Sequence, residues 1–239
     1  VYRFRDSFPP VLEEAPPANL DWTLWQGPAP ERPFSRNYVH YNWHWFWHYG
    51  NGESGNNGPH PADIINWALD KGLPVRASAA GGIFGYENDA RETPNTHVVT
   101  YTFADGTLMT MDVRNRYTAE ESWITLLGTE GYMQNEKLYG KDNKEIPDEA
   151  PVDKGPDATL IHFKGWLAAI RANDPNAVAG TAEQGHVAAG LCHLGNIAYL
   201  TGRTLRFDPA TEKFIGDDEA NALLTRDYRE GFAVPALAG

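Results

Sequence analysis

The 239-residue chain has a single cysteine, Cys192, which excludes an internal disulfide and a cysteine-based zinc cage. Positive charge is also scarce: 20 Lys and Arg stand against 32 Asp and Glu, a formal net charge of −12. Proteins that neutralise phosphates need a basic face, so nucleic acid is not expected as a partner. No apolar run approaches the roughly 20 residues of a membrane-spanning helix, so a membrane is not expected either. No repeat of solenoid length is present. The chain starts at Val1 with neither methionine nor a signal-peptide pattern, and this start is expected to be cut or processed.

Hydrophobic residues make up 41% of the chain, enough for a sizeable core. Aromatic residues are concentrated locally. Five of the eight Trp residues precede position 48, and residues 38–49 read Tyr-Val-His-Tyr-Asn-Trp-His-Trp-Phe-Trp-His-Tyr. Such rings suit two roles, filling a seam or stacking on the C–H face of a sugar. Most are expected in a seam, with one or two facing a ligand.

Prolines 9, 10, 16 and 17 exclude regular helix near the start, and residues 1–49 read as an extended arm opened by a short strand at 1–4. A helix is expected over 62–69, with Gly72 and Pro74 as stop signals. Residues 97–103 alternate, and Asp105-Gly106 turns them into 108–113, a strong hairpin signal. A second antiparallel pair is expected from 123–127 through Gly128 and Gly131 to Tyr132 and Met133. Residues 137–156 read as an exposed connection. Asp157 is placed to cap a helix carrying Leu160, Phe163, Leu167 and Ile170, and Thr181 with Gln184 forms a capping-box pattern before a helix ended by Gly202. Strand hairpins followed by helices give an α+β fold, a large and mostly antiparallel open-faced sheet with helices on one face.

Gly50-Asn51-Gly52-Glu53-Ser54-Gly55 satisfies the dinucleotide pattern G-x-G-x-x-G literally. That mechanism needs a buried strand before it and a helix opening at the third glycine, and neither is expected, so the stretch reads as a tight turn or an active-site loop. His40, His44 and His48 recur every four residues, as a metal site on a helix would require, but the residues between them are poor helix formers and no metal is assigned. His60 sits in Gly58-Pro59-His60-Pro61-Ala62-Asp63, just before a helix. An imidazole there can move a proton or hold a hydroxyl; capping is the structural alternative. Cys192 reads as a small buried hydrophobe.

The run Gly50 through Asp63 resembles the G-G-G, three residues, D-x-G-x-H-x-x-D motif of the C-terminal domain in the Gfo/Idh/MocA oxidoreductases. Leu20-Asp21-Trp22, Trp25-Gln26-Gly27-Pro28-Ala29-Pro30, Tyr41 through Trp47, and Gly195-Asn196-Ile197-Ala198 through Gly202-Arg203 are similar to a bacterial branch whose members are often exported. The resemblance covers essentially all of residues 1–239, which it makes one substrate-binding and oligomerisation domain. It implies a sugar or polyol substrate, a homo-oligomer formed through the sheet, and NAD or NADP bound by a Rossmann domain rather than by this chain, which assigns no cofactor-binding residue of its own. The family's Glu-Lys-Pro tripeptide is absent, so the chain reads as the C-terminal half alone, inactive in isolation. Carried over by position, His60 is the catalytic residue at the reacting hydroxyl. Asn56 replaces an aspartate that many members have; it can orient a hydroxyl but cannot take its proton. His44, Trp45 and Trp47 complete the expected substrate-binding set. The alternatives are a stand-alone carbohydrate-binding or scaffold protein, or part of an NAD-dependent glycosidase. Periplasm and cytoplasm both remain open.

Overall fold

A computed structural model describes residues 1–118, 124–147 and 157–233. The elements in chain order are α1 (Trp22–Gln26), a 3-10 helix (Asn42–Trp45), α2 (Gly52–Asn56), α3 (Pro59–Leu69), β1 (Arg76–Gly82), β2 (Thr96–Thr102), β3 (Leu108–Arg114), β4 (Thr125–Leu127), β5 (Gly131–Gln134), β6 (Lys137–Gly140), β7 (Glu145–Ile146), α4 (Ala158–Ala172), α5 (Ala182–Thr201), β8 (Leu205–Asp208), β9 (Lys213–Phe214) and α6 (Asp218–Ala222). The strands form a five-stranded sheet, β3-β2-β1-β8-β9, and a four-stranded meander, β4-β5-β6-β7. Every strand pairing in the two sheets is antiparallel.

The alternation of β2 sets the core. His97, Val99 and Tyr101 point inward, and Met109, Met111 and Val113 of β3 join them, while Val98 stays exposed. The Asp105-Gly106 turn is closed by Gly106 N–H donating to the Phe103 carbonyl (3.0 Å), with Gly106 at φ 87°. Helix α5 lies across this inward face. The Tyr101 hydroxyl donates to the Leu191 carbonyl (2.6 Å), and a Cβ on Gly195 would come within 2.7 Å of that hydroxyl oxygen. Small residues at the crossing let helix and sheet approach closely.

Both capping-box bonds form at the start of α5: Thr181 N–H donates to Gln184 Oε1 (2.8 Å) and Gln184 N–H to Thr181 Oγ1 (3.2 Å). Asp157 caps α4 through Thr159 N–H at 2.9 Å, and Leu160, Phe163, Leu167 and Ile170 remain about half exposed. Helix α3 starts earlier than its apolar pattern indicates because Pro59 and Pro61 both fit a first helical turn. It stops at Asp70, before Gly72, in the left-handed conformation.

Several elements depart from the sequence expectation. Residues 137–140 and 145–146 are strands rather than connection. Asn135 and Glu136, both at positive φ, turn β5 into β6 without the usual glycine, and Tyr132 stacks on its cross-strand partner Tyr139 at 4.7 Å. Strand β1 was not expected, because Arg-Ala-Ser-Ala-Ala-Gly-Gly has no β-branched or aromatic residue. Residues 1–4 form an isolated parallel bridge, Tyr2 to Arg114, instead of a strand. Trp123 of the expected second hairpin and residues 148–156 of the expected connection lie outside the described residues.

The N-terminal residues are tied to the sheet. Arg3 N–H and Arg5 N–H donate to the Arg114 and Asn115 carbonyls, both at 2.9 Å. The Arg91 side chain is buried between Phe8 and Tyr86, pairs with Asp89 at 2.7 Å, and donates to the Asp6 carbonyl. Phe8, Phe34, Tyr38, Trp45 and Phe46 are buried, so much of the aromatic segment packs as a seam.

Candidate substrate-facing site

The Gly50 to Asp63 stretch folds as two successive helices, with α2 packed against the 3-10 helix, α3 and α5. A five-residue helix therefore forms inside the glycine-rich loop, where none was expected. Close approach makes it possible: a Cβ on Gly50 would lie 2.4 Å from the His44 carbonyl oxygen, and one on Gly58 would lie 2.0 Å from that of Ser54.

Three polar contacts anchor α2 from different sides. Glu53 is 1% exposed and pairs with Arg5 from the N-terminal segment (3.2 Å), while Asn57 Nδ2 donates to its other oxygen. The Arg5 guanidinium also lies over the Trp45 ring, 5.1 Å from its centroid. Ser54 Oγ meets His97 Nδ1 of β2 at 2.8 Å. From α5, Asn196 Nδ2 donates to the Asn51 carbonyl at 2.8 Å.

Ser54 and His97 have the spacing of a nucleophile and its base, but both are buried, so no substrate reaches them. Burial lowers the His97 pKa from 6.5 to about 4, opposed only by the Gly195 carbonyl. The imidazole is therefore neutral at pH 7. Burial likewise pushes the Cys192 thiol up to about 12, so it remains a protonated core group.

His60 sits in the first turn of α3, exposed to solvent and without a hydrogen bond or ion pair among the described residues. It shares its helix face with Asp63, Ile64 and Trp67 at i+3, i+4 and i+7, and Trp67 is 77% exposed. Ala62 turns the opposite way, into the core. Asn56 ends α2, half buried, and the Asn57-Gly58 link joins it to the helix carrying His60. His44 and Trp45 lie on the 3-10 helix that packs on α2. The His44 ring stacks on Trp43 at 3.8 Å. Trp45 is 1% exposed against Arg5 and Phe8 and offers no open ring face. Trp47 is half buried; its backbone N–H donates to Glu92 Oε2 (2.7 Å) and its ring faces Tyr199 of α5 at 6.5 Å.

His40, His44 and His48 do not align on a helix, because the segment is a single 3-10 turn flanked by turns. No group of three or more His, Cys, Asp or Glu suited to a metal is found among the described residues. Nor does a dinucleotide fit the Gly50 to Gly55 loop. A 3-10 turn rather than a strand precedes it, and the helix it opens has only five residues. The Arg5–Glu53 and Ser54–His97 pairs, which hold the loop in place, had no signal in the sequence, since their members lie 48 and 43 residues apart.

An antiparallel sheet with a helix across one face, and an exposed histidine at a helix start, defines an α+β domain. The profile described as "Oxidoreductase family, C-terminal alpha/beta domain", of the Gfo/Idh/MocA group, matches residues 10–234. The chain belongs to that family. No curated protein sequence matches it. Among solved structures, it is similar to the WlbA dehydrogenase from Bordetella pertussis in complex with NADH and UDP-GlcNAcA: 16% identity, TM-score 0.53, covering 72% of this chain and 51% of that one. The WlbA dehydrogenase from Chromobacterium violaceum, with the same two ligands, gives 18% identity and a TM-score of 0.52 over 72% of this chain and 50% of that one. These likenesses establish the fold, and the chain spans about half the length of either structure. No helix among the described residues is long and apolar enough to cross a membrane.

Proposed function

We propose that this chain is the substrate-binding part of an NAD(P)-dependent oxidoreductase acting on a sugar or polyol hydroxyl, with the nicotinamide cofactor held by residues outside it. The observation that carries this reading is the placement of His60. It is exposed and unpartnered among the described residues, at the start of α3, on a face where Ile64 and Trp67 are also uncovered. Single exposed apolar residues are unremarkable, but a helix face that joins an imidazole to a nearly bare indole suits a surface that meets a substrate and a second domain. Membership of an oxidoreductase family supports the reaction class.

In this reading, His60 takes and returns the proton of the reacting hydroxyl, and Asn56 orients it through its amide. In the intact enzyme, His60→Ala lowers turnover of a sugar or polyol, followed as NAD(P)H absorbance, by at least about tenfold. Unchanged turnover overturns the assignment. We also propose a homo-oligomer through the open sheet face, where Val98 and Leu108 are 40% and 67% exposed. Light scattering of this chain at micromolar concentration then gives a mass above one chain, and a monomer counts against it.

A further inference from the structure

Two apolar faces of this chain lie uncovered among the described residues, and they are of complementary kinds. Helix α4 carries Leu160, Phe163, Trp166, Leu167 and Ile170 along one stripe, at the three- and four-residue spacing of a buried helix face, yet each is 41–56% exposed. Ala169 is the helix's one buried residue, and no other described element packs extensively on α4. A lone helix of roughly 12–15 residues is marginal in water, so such a stripe needs a surface to pack on.

The second face is on the meander. Its register places Leu126, Met133, Leu138 and Ile146 opposite one another across β4, β5, β6 and β7, an apolar row on one face, while Thr125, Gln134, Lys137 and Glu145 point the other way. Leu138 and Ile146 are 49% and 46% exposed. A sheet with one apolar and one polar face is built to be covered on one side. The α4 stripe of the same chain does not pack on it.

We propose that α4 of one copy of this chain packs on the meander row of a second copy, and that a two-fold axis makes the contact reciprocal. A helix stripe on a sheet face is the packing that ordinarily buries both kinds of surface. Area decides for the reciprocal form. Half-exposed side chains of this size leave roughly 100 Å² each, so one contact removes about 800 Å² from water, the level of a packing contact, whereas two bring the interface to about 1,600 Å², the size of a stable one. Charge agrees with a second copy as the occupant. Lys164 and Arg171 are the only charged residues of α4, and the chain they meet carries a net charge of −12. An anionic bilayer, the other surface that suits a basic apolar helix, is repelled by the same −12 and leaves the meander row uncovered. The contact lies outside the five-stranded sheet that carries Val98 and Leu108, and it is independent of the redox reading.

The test mixes two variants of the 239-residue chain, Leu167→Cys and Leu138→Cys, with a short bis-maleimide. Cys192 is buried and its thiol stays protonated, so it does not react. A covalent dimer is expected in the mixture and in neither variant alone. Adding Trp166→Glu, a change at an exposed position, to the Leu167→Cys chain lowers the yield at least about tenfold. Adding Val98→Glu to both chains leaves the yield unchanged, so this interface and the one through the five-stranded sheet fail independently. The proposal is overturned by the absence of a dimer in the mixture, by an equal yield from Leu167→Cys alone, or by closure within one chain of a protein carrying both cysteines. Capture of the chain on phosphatidylserine vesicles in place of cross-linking overturns it as well.

Discussion

Acid should destabilise this chain through His97 before its carboxylates titrate. The imidazole titrates at 6.5 when unfolded and at about 4 when folded, because burial disfavours its charged form. A depressed histidine pKa means that the unfolded state binds the proton more readily. The native state therefore keeps its full stability above pH 6.5 and loses it as pH falls towards 4. Between pH 7.5 and pH 5 the loss from this one group is about 2 kcal/mol, approaching about 3 kcal/mol below pH 4. Urea unfolding of the chain and of His97→Asn at both pH values isolates the contribution, since carboxylates held low, such as Glu92 beside His48, are common to both proteins. The variant starts less stable, because it loses imidazole packing around Ser54 and Tyr199. Its further loss on acidification should be about 2 kcal/mol smaller than that of the parent. Equal losses would refute the claim that His97 is buried and neutral.

Glu53→Gln keeps the shape of the side chain but leaves Arg5 without its counter-charge beneath Trp45. Because the Arg5 side chain is 23% exposed, the cost should fall near the low end of a broken buried pair, about 3 kcal/mol by urea unfolding; no change would make the pair incidental. Gly195→Ala puts a methyl group 2.7 Å from the Tyr101 hydroxyl and 2.9 Å from Val99 Cγ2. Thermal unfolding should show a loss of about 1–3 kcal/mol, and a neutral result would mean that α5 can lift from the sheet at no cost.

Where local chemistry decides structure, the sequence is readable. The β2–β3 hairpin follows from alternation plus Asp105-Gly106, and the start of α5 from Thr181 and Gln184. Strand β1 is illegible for the reason that makes it useful: its small residues carry no strand propensity, but they let α5 pack close against the sheet. The aromatic segment fails differently. Residues 38–49 form a 3-10 turn flanked by turns, so no period assigns their rings to core or surface, and only tertiary packing separates buried Trp45 from Trp43 at a cleft. The position of His60 at a helix start can be read from its prolines and glycine. What holds it there cannot, because Arg5 and His97 come from distant parts of the chain.

Those distant contacts explain how His60 can be both unpartnered and well placed. Hydrogen bonds and packing that fix a side chain usually also cover it, whereas the proton-transfer role proposed for His60 needs it uncovered. Here the fixing is moved one helix back. Arg5 from the N-terminal segment, His97 from the sheet and Asn196 from α5 each hold the α2 region, and the two-residue Asn57-Gly58 link passes that orientation to the first turn of α3. One charged contact of about 1.5–3 kcal/mol and two neutral ones of about 0.5–1.5 kcal/mol are together of the same order as what ordering a two-residue link costs, about 1–2 kcal/mol per residue. The His97 contact survives mild acidification in the folded chain, because the buried imidazole titrates only at about 4. Acid acts on it through the unfolded state, which takes up the proton first, so the hold on α2 is lost with the fold rather than ahead of it.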